Sequence, residues 1–156
     1  MIAIDTNILV RYLLNDDRAQ AKAASEYLAC GKTFSFSPTV LLELVWVLQA
    51  NDCTREEILN GLRHILGLPN IRVREIEAVT YAIRWYEAGL DFADALHLAL
   101  SDKDEGFLTF DKTLVKRAGK INAFPPVMDR LEDIELADVV QQRRGQKRIR
   151  VKPEDL

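Results

Sequence analysis

Four acidic residues stand out by where they fall in the chain. Asp5 and Asp111 each come directly after a short apolar run, Ile2-Ala3-Ile4 and Phe107-Leu108-Thr109-Phe110. If those runs are strands of an open parallel α/β sheet, both carboxylates lie at the strands' carboxyl ends, where such sheets bind ligands. Thr6 and Asn7 follow Asp5, and Thr109 precedes Asp111 by two positions, so small polar groups stand ready to support each acid. Glu43 lies inside Val40 to Leu48, a run that is apolar almost all round a helix. A helix of that kind is normally buried. A buried carboxylate without a partner is costly. Thr39, Val40, Trp46 and Val47 occupy the positions within helical reach, so no local Lys or Arg can serve. A bound cation, or a basic residue from elsewhere in the chain, must then supply the charge. Asp94 falls near the first turn of a helix in Asp91-Phe92-Ala93-Asp94-Ala95-Leu96-His97.

Carboxylates gathered in one place repel one another unless something positive sits among them. Magnesium suits the role: a hard ion that takes one or two carboxylates and fills its shell with waters and phosphate oxygens. The chemistry this implies is phosphodiester hydrolysis. One ion lowers the pKa of a water, and a second, about 3.5–4 Å away, stabilises the leaving oxygen. No histidine is needed as base. Each acid also has a simpler reading. Asp5 can merely end a strand, and Asp111 can cap the helix after it. Asp91 and Asp94 fit the N-cap and N3 positions, and capping is the preferred reading of Asp91. Glu43 can pair with a distant arginine.

The elements that must position these residues follow from periodicity and caps. Ile2 to Ile4 reads as a strand and Asn7 to Leu14 as a helix, with Ile8, Leu9, Tyr12 and Leu13 on one stripe. An alanine-rich helix spans Arg18 to Ala29 and stops at Gly31. Thr33 to Phe36 reads as a strand. Ser37-Pro38 opens the helix that carries Glu43, with Ser as N-cap and Pro in the first turn. Thr54-Arg55-Glu56-Glu57 is a capping box and opens a helix to Leu66. Ile71 to Arg74 alternates as a strand does. Helices over Ile76 to Glu87 and Asp91 to Ser101 are split by Gly89. Phe107 to Phe110 is a strand, Leu114 to Ala118 a short helix, and Ile121 to Phe124 a last strand. Strands alternating with helices predict a parallel sheet with helices on both faces.

Composition is consistent with this. Of 156 residues, 48% are hydrophobic and 29% charged, the balance of one ordinary globular domain. No apolar run approaches a membrane span and no leader pattern opens the chain, so a cytoplasmic protein is expected. Cys30 and Cys53 are too few and too far apart for a disulfide framework or a zinc site. The net charge of −3 is unlike that of a protein that merely coats nucleic acid, so any such role must come from a local site. Pro125-Pro126 is the clear boundary, giving a domain over 1–124 and an extension over 125–156. In that extension acids from Asp129 to Asp138 come first. The run Arg143, Arg144, Lys147, Arg148, Arg150 and Lys152 then follows without an acid. A solvated tail is the default reading of that cluster, with RNA phosphates or a partner's acidic patch as alternatives.

Four pieces in order resemble a known family: Ile4-Asp5-Thr6-Asn7, Leu42-Glu43-Leu44 in a helix after Ser-Pro, Asp91-Phe92-Ala93-Asp94-Ala95-Leu96, and Leu108-Thr109-Phe110-Asp111. They resemble the PIN domain, and among PIN proteins the VapC-type toxins of bacterial toxin–antitoxin pairs, over residues 1–124. The resemblance implies a three-layer α/β/α sandwich with a central parallel sheet. It implies a Mg²⁺- or Mn²⁺-dependent endoribonuclease with Asp5, Glu43, Asp94 and Asp111 as metal ligands and catalytic residues. Thr6, Asn7, Thr109 and Asp91 would support them. Its implied partners are the RNA substrate, a cognate antitoxin protein that blocks the site, and a second copy in a homodimer. The antitoxin groove is expected within Leu9 to Leu66. The tail past the domain departs from the family's usual length.

Arg11 and Tyr12, close after Asp5, are candidate RNA contacts. His97, three residues after Asp94, reads as a satisfied core or rim histidine, with substrate contact as the alternative; His64 reads as structural or exposed, and Trp46 and Trp85 as core. Three other functions compete. A non-catalytic interaction module on the same fold predicts a missing or blocked carboxylate, and all four are present. Phosphoryl transfer through an aspartate needs a second acid two residues on or a partner lysine late in the chain; Asp5-Thr6-Asn7 lacks the acid, Lys112 and Lys116 are candidate lysines, and Glu43 has no role in that scheme. A nucleotide-binding Rossmann domain needs a glycine-rich loop after the first strand, and there is none.

Overall fold

A computed structural model describes residues 1–130 of the chain. The acidic and basic runs expected between Glu132 and Lys152 lie outside the described residues. The chain separates into two compact units, Met1–Asp102 and Lys103–Leu156.

The first unit is built on a three-stranded parallel sheet in the order β1 (Ile2–Ala3), β2 (Phe34–Phe36), β3 (Ile71–Val73). Ile2 lies opposite Phe34, and Phe34 opposite Ile71. β2 is central and buried throughout, including Ser35, because it has a neighbour on each side. Helices fill the crossovers that parallel pairing requires. α1 (Thr6–Leu14) and α2 (Arg18–Ala29) join β1 to β2, α3 (Pro38–Ala50) and α4 (Arg55–Leu66) join β2 to β3, and α5 (Ile76–Glu87) and α6 (Phe92–Leu100) follow β3. α1 packs on α2 and α3, α3 packs on α6, α4 packs on β3, and α5 lies along α6. This is the expected helix-rich α/β fold with a parallel sheet.

The second unit pairs β4 (Phe107–Leu108) with β5 (Val127–Met128) in parallel, joined through α7 (Lys112–Lys120). The last strand was expected at Ile121 to Phe124, and that expectation is wrong. Ile121 caps α7, Asn122 takes the left-handed conformation at φ 51°, and the Ala123 N–H returns to the Ala118 carbonyl. Those residues close a helix. The paired strand comes after Pro126, whose carbonyl accepts from the Phe107 N–H.

α3 corrects two further expectations. Leu41, Leu44, Val45 and Leu48 are buried at helical spacing, and the opposite stripe, Thr39, Glu43, Trp46 and Ala50, is exposed. An apolar composition all round did not mean burial all round, because only one face meets α1 and α6. Glu43 is therefore exposed rather than buried, and Trp46 is 57% exposed rather than core. Trp85 is buried, as expected. Ser37 sits at the N-cap, but its hydroxyl meets the Thr39 hydroxyl at 2.6 Å and makes no cap bond. Among the described residues no helix is long and apolar enough to cross a membrane.

Candidate functional site

β1 delivers the chain into Asp5, which caps α1. One carboxylate oxygen of Asp5 accepts from the Thr6 backbone N–H at 2.8 Å, and the other accepts from the Asn7 side-chain amide at 3.2 Å. Thr6 is only 2% exposed, and its hydroxyl donates to Glu43 Oε2 at 2.5 Å. The bond spans 37 residues and ties the first turn of α1 to the middle of α3. One threonine thus holds a carboxylate on each side: Asp5 through its backbone and Glu43 through its side chain. Among the described residues no Lys or Arg forms a salt bridge with Glu43. An exposed carboxylate needs none, which removes the burial argument for a bound cation. The hydroxyl bond leaves Glu43 with acceptor capacity.

Asp91 caps α6, accepting at one oxygen from the Ala93 N–H at 2.8 Å and the Asp94 N–H at 3.4 Å. Capping was the preferred reading of Asp91. Asp94, half-buried, lies in the first turn of that helix. In the second unit, Asp111 caps α7, with the Thr113 and Leu114 N–H groups at 2.7 and 3.1 Å. The Thr109 hydroxyl accepts from the Asp111 N–H at 3.0 Å. Asp5, Asp91 and Asp111 are thus all helix caps, placed where the helix N-terminus favours negative charge.

Arg11 and Tyr12, the candidate RNA contacts, each have a side-chain partner. Arg11 pairs with Asp16 at 2.5 Å, which raises the Arg11 pKa and lowers that of Asp16. The Tyr12 hydroxyl meets His64 Nε2 at 2.9 Å, and the two rings stack. His97 is exposed. Cys30 and Cys53 are free thiols. A cleft of about 350 Å³ opens beside Asp5, lined mainly by apolar side chains such as Ile2, Ile8 and Phe34, and neither Glu43 nor Asp94 lines it.

Arg55 was legible only as part of a capping box, and the structure gives it more. Its Nη1 donates to the carbonyls of Tyr86 and, at 2.8 Å, Leu90, and its guanidinium lies 4.1 Å above the centre of the Tyr86 ring. These partners are 31 and 35 residues away, so no local signal could have revealed them.

The donors near Asp5 are hard oxygens, the kind Mg²⁺ and Mn²⁺ take, and two carboxylates meet the protein share of a Mg²⁺ shell. Asp5 and Glu43 are donors of that chemistry, and Thr6 bonds both of them. Among the described residues no three His, Cys, Asp or Glu side chains form a group that could hold a metal. In comparison with known proteins, a family model described as PIN domain matches residues 2–120. No curated protein matches the chain.

Proposed function

Because the chain belongs to the PIN domain family, whose members are generally nucleases, we propose that it is a Mg²⁺- or Mn²⁺-dependent endoribonuclease and the toxin of a VapBC-type toxin–antitoxin pair. The observation that carries this reading is the Thr6 hydroxyl bond to Glu43 beside the cap of Asp5. It joins two acids from distant parts of the sequence at the carboxyl end of a parallel strand, where α/β folds bind ligands. Asp5, Glu43 and Asp94 hold the ion, and the resemblance assigns Asp111 the same role.

When bound, the ion supplies Lewis acidity, lowering the pKa of a water and offsetting charge on the phosphodiester. The chain's own residues prepare for it. Asn7 and the Thr6 N–H fix both oxygens of Asp5. The Thr6 hydroxyl fixes one oxygen of Glu43 and leaves the other available. Asp91 orders the first turn of α6, and with it Asp94. Such supporting bonds orient ligands and tune their affinity. The same reading carries RNA as substrate, a second copy as partner, and an antitoxin chain docking within Leu9 to Leu66, the segment that holds exposed Trp46.

A second reading, a non-catalytic interaction module, is favoured by the lack of a three-ligand group among the described residues. One experiment separates them. The purified chain is incubated with mixed cellular RNA and Mg²⁺ or Mn²⁺, with EDTA and Asp94→Asn as controls. Discrete cleavage abolished in both controls is the expected result. No cleavage by a folded protein that also fails to bind Mn²⁺ would overturn the nuclease in favour of the module.

A further inference from the structure

We propose that Arg55 is a positioning residue for Asp94, holding the α5–α6 bend from behind so that α6 presents its acid in one orientation. The inference rests on the reading of Asp94 as a metal-holding residue.

Arg55 is itself on a fixed base. It is the first residue of α4, where Thr54 and Glu57 form a reciprocal capping box: Glu57 Oε2 accepts from the Thr54 N–H at 2.7 Å, and the Thr54 hydroxyl accepts from the Glu57 N–H at 3.3 Å. From there the guanidinium reaches the end of α5 and the turn that follows it. One nitrogen bonds two carbonyls, Tyr86 in the last turn of α5 and Leu90 just before Asp91. The last turn of a helix has carbonyls without intrahelical partners and carries the negative end of its dipole, so a cation is favoured there.

Between those two carbonyls the chain turns at Gly89, with φ +108°, a conformation side-chain-bearing residues rarely adopt. The direction in which the chain leaves this turn sets the direction of α6. Pinning both sides of it with one rigid planar group removes that freedom. The guanidinium also lies on the Tyr86 ring, and the edge of that ring meets Phe92, the first residue of α6, at 5.5 Å between centroids and 84° between planes. Tyr86 and Phe92 are 2% and 1% exposed. Arg55 therefore acts on the start of α6 by two routes: backbone carbonyl to Leu90 and Asp91, and ring to ring to Phe92. Asp94 follows in the same helical turn. A lysine offers no plane to stack on the Tyr86 ring, so the site is built for arginine.

The test is Mn²⁺ affinity of the full chain by electron paramagnetic resonance, for the unaltered protein, Arg55→Ala, Asp94→Asn and the double variant, with folding checked by circular dichroism. Supporting residues of this kind typically change metal affinity about 10–100-fold. Arg55→Ala is expected to weaken Mn²⁺ binding by that order, and the double variant to bind no more weakly than Asp94→Asn alone, because Arg55 acts through Asp94. A merely structural arginine would leave the affinity of the folded protein unchanged, or its effect would add to that of Asp94→Asn, and either result overturns the proposal while Asp94 keeps its role. Unchanged affinity in Asp94→Asn removes the role of Asp94, and the proposal falls with it. If Arg55→Ala does not fold, Arg55→Gln, which keeps one donor, carries the same cycle: a smaller loss that needs Asp94 supports the proposal, and no loss or an additive loss overturns it.

Discussion

The β1–α1 junction and the α5–α6 bend each deliver an acidic helix cap, but they are held from opposite sides. At the junction the bonds lie among the acids: Asn7 and Thr6 meet Asp5, and Thr6 meets Glu43. At the bend the fastening lies behind the acids, in backbone carbonyls and buried rings gripped by Arg55. The difference teaches that two acids with similar helical settings need not fail in the same way. On the proposed reading, the junction can lose ion affinity with little loss of fold. The bend loses fold first.

The largest expected effect breaks the bend. Phe92→Ala empties a fully buried aromatic site and should cost about 3–5 kcal/mol of stability. Chemical denaturation checks this, and a loss below about 1 kcal/mol would show that the bend does not depend on its ring packing.

Next comes Thr6→Val, which keeps the shape and removes the hydroxyl. Mn²⁺ affinity should fall about 10–100-fold, as for other supporting residues. The melting temperature should move little, because the stranded Glu43 is exposed and water replaces the lost bond. Thr6→Ser restores the donor and should restore affinity. Equal damage to stability from Thr6→Val and Phe92→Ala would erase the contrast between the two regions.

Thr54→Ala removes one half of the capping box beneath Arg55 and should cost about 1 kcal/mol. The smallest effect is on pH. Bonds from the Thr54 backbone and hydroxyl lower the Glu57 pKa below its ordinary value. A depressed carboxylate contributes stability that is present above the unfolded pKa and lost as pH falls through the folded one. Acid titration of the melting temperature should therefore show a loss below the usual glutamate range, and that loss should shrink in Thr54→Ala.

Much of the fold could be read in the sequence because its signals are local. The capping box at Thr54 to Glu57 marks the start of α4, and the alanine-rich run sets α2 at Arg18–Ala29. Asp91 declared itself a cap through its place before Phe92. What was not legible depends on which face meets a neighbour. α3 looked buried all round because Trp46 and Val47 are apolar, yet the packing face is Leu41, Leu44, Val45 and Leu48, and Glu43 lies on the other side. Ile121 to Phe124 looked like a strand because its apolar residues are spaced like one. The overlooked signal was Asn122, a residue suited to the left-handed end of a helix. In the candidate site, the bonds from Thr6 and Asn7 to Asp5 follow from adjacency, and the Thr6–Glu43 bond follows only from the packing of α1 on α3.

The central claim is that the acids joined by Thr6 share one ion. The most direct measurement is Mn²⁺ affinity of Asp5→Asn, Glu43→Gln and the double variant. Residues in one network are coupled rather than additive. Each single variant should weaken binding, and the double should bind little worse than the weaker single. Unchanged affinity in both singles, or independent losses that simply add, would contradict a shared site.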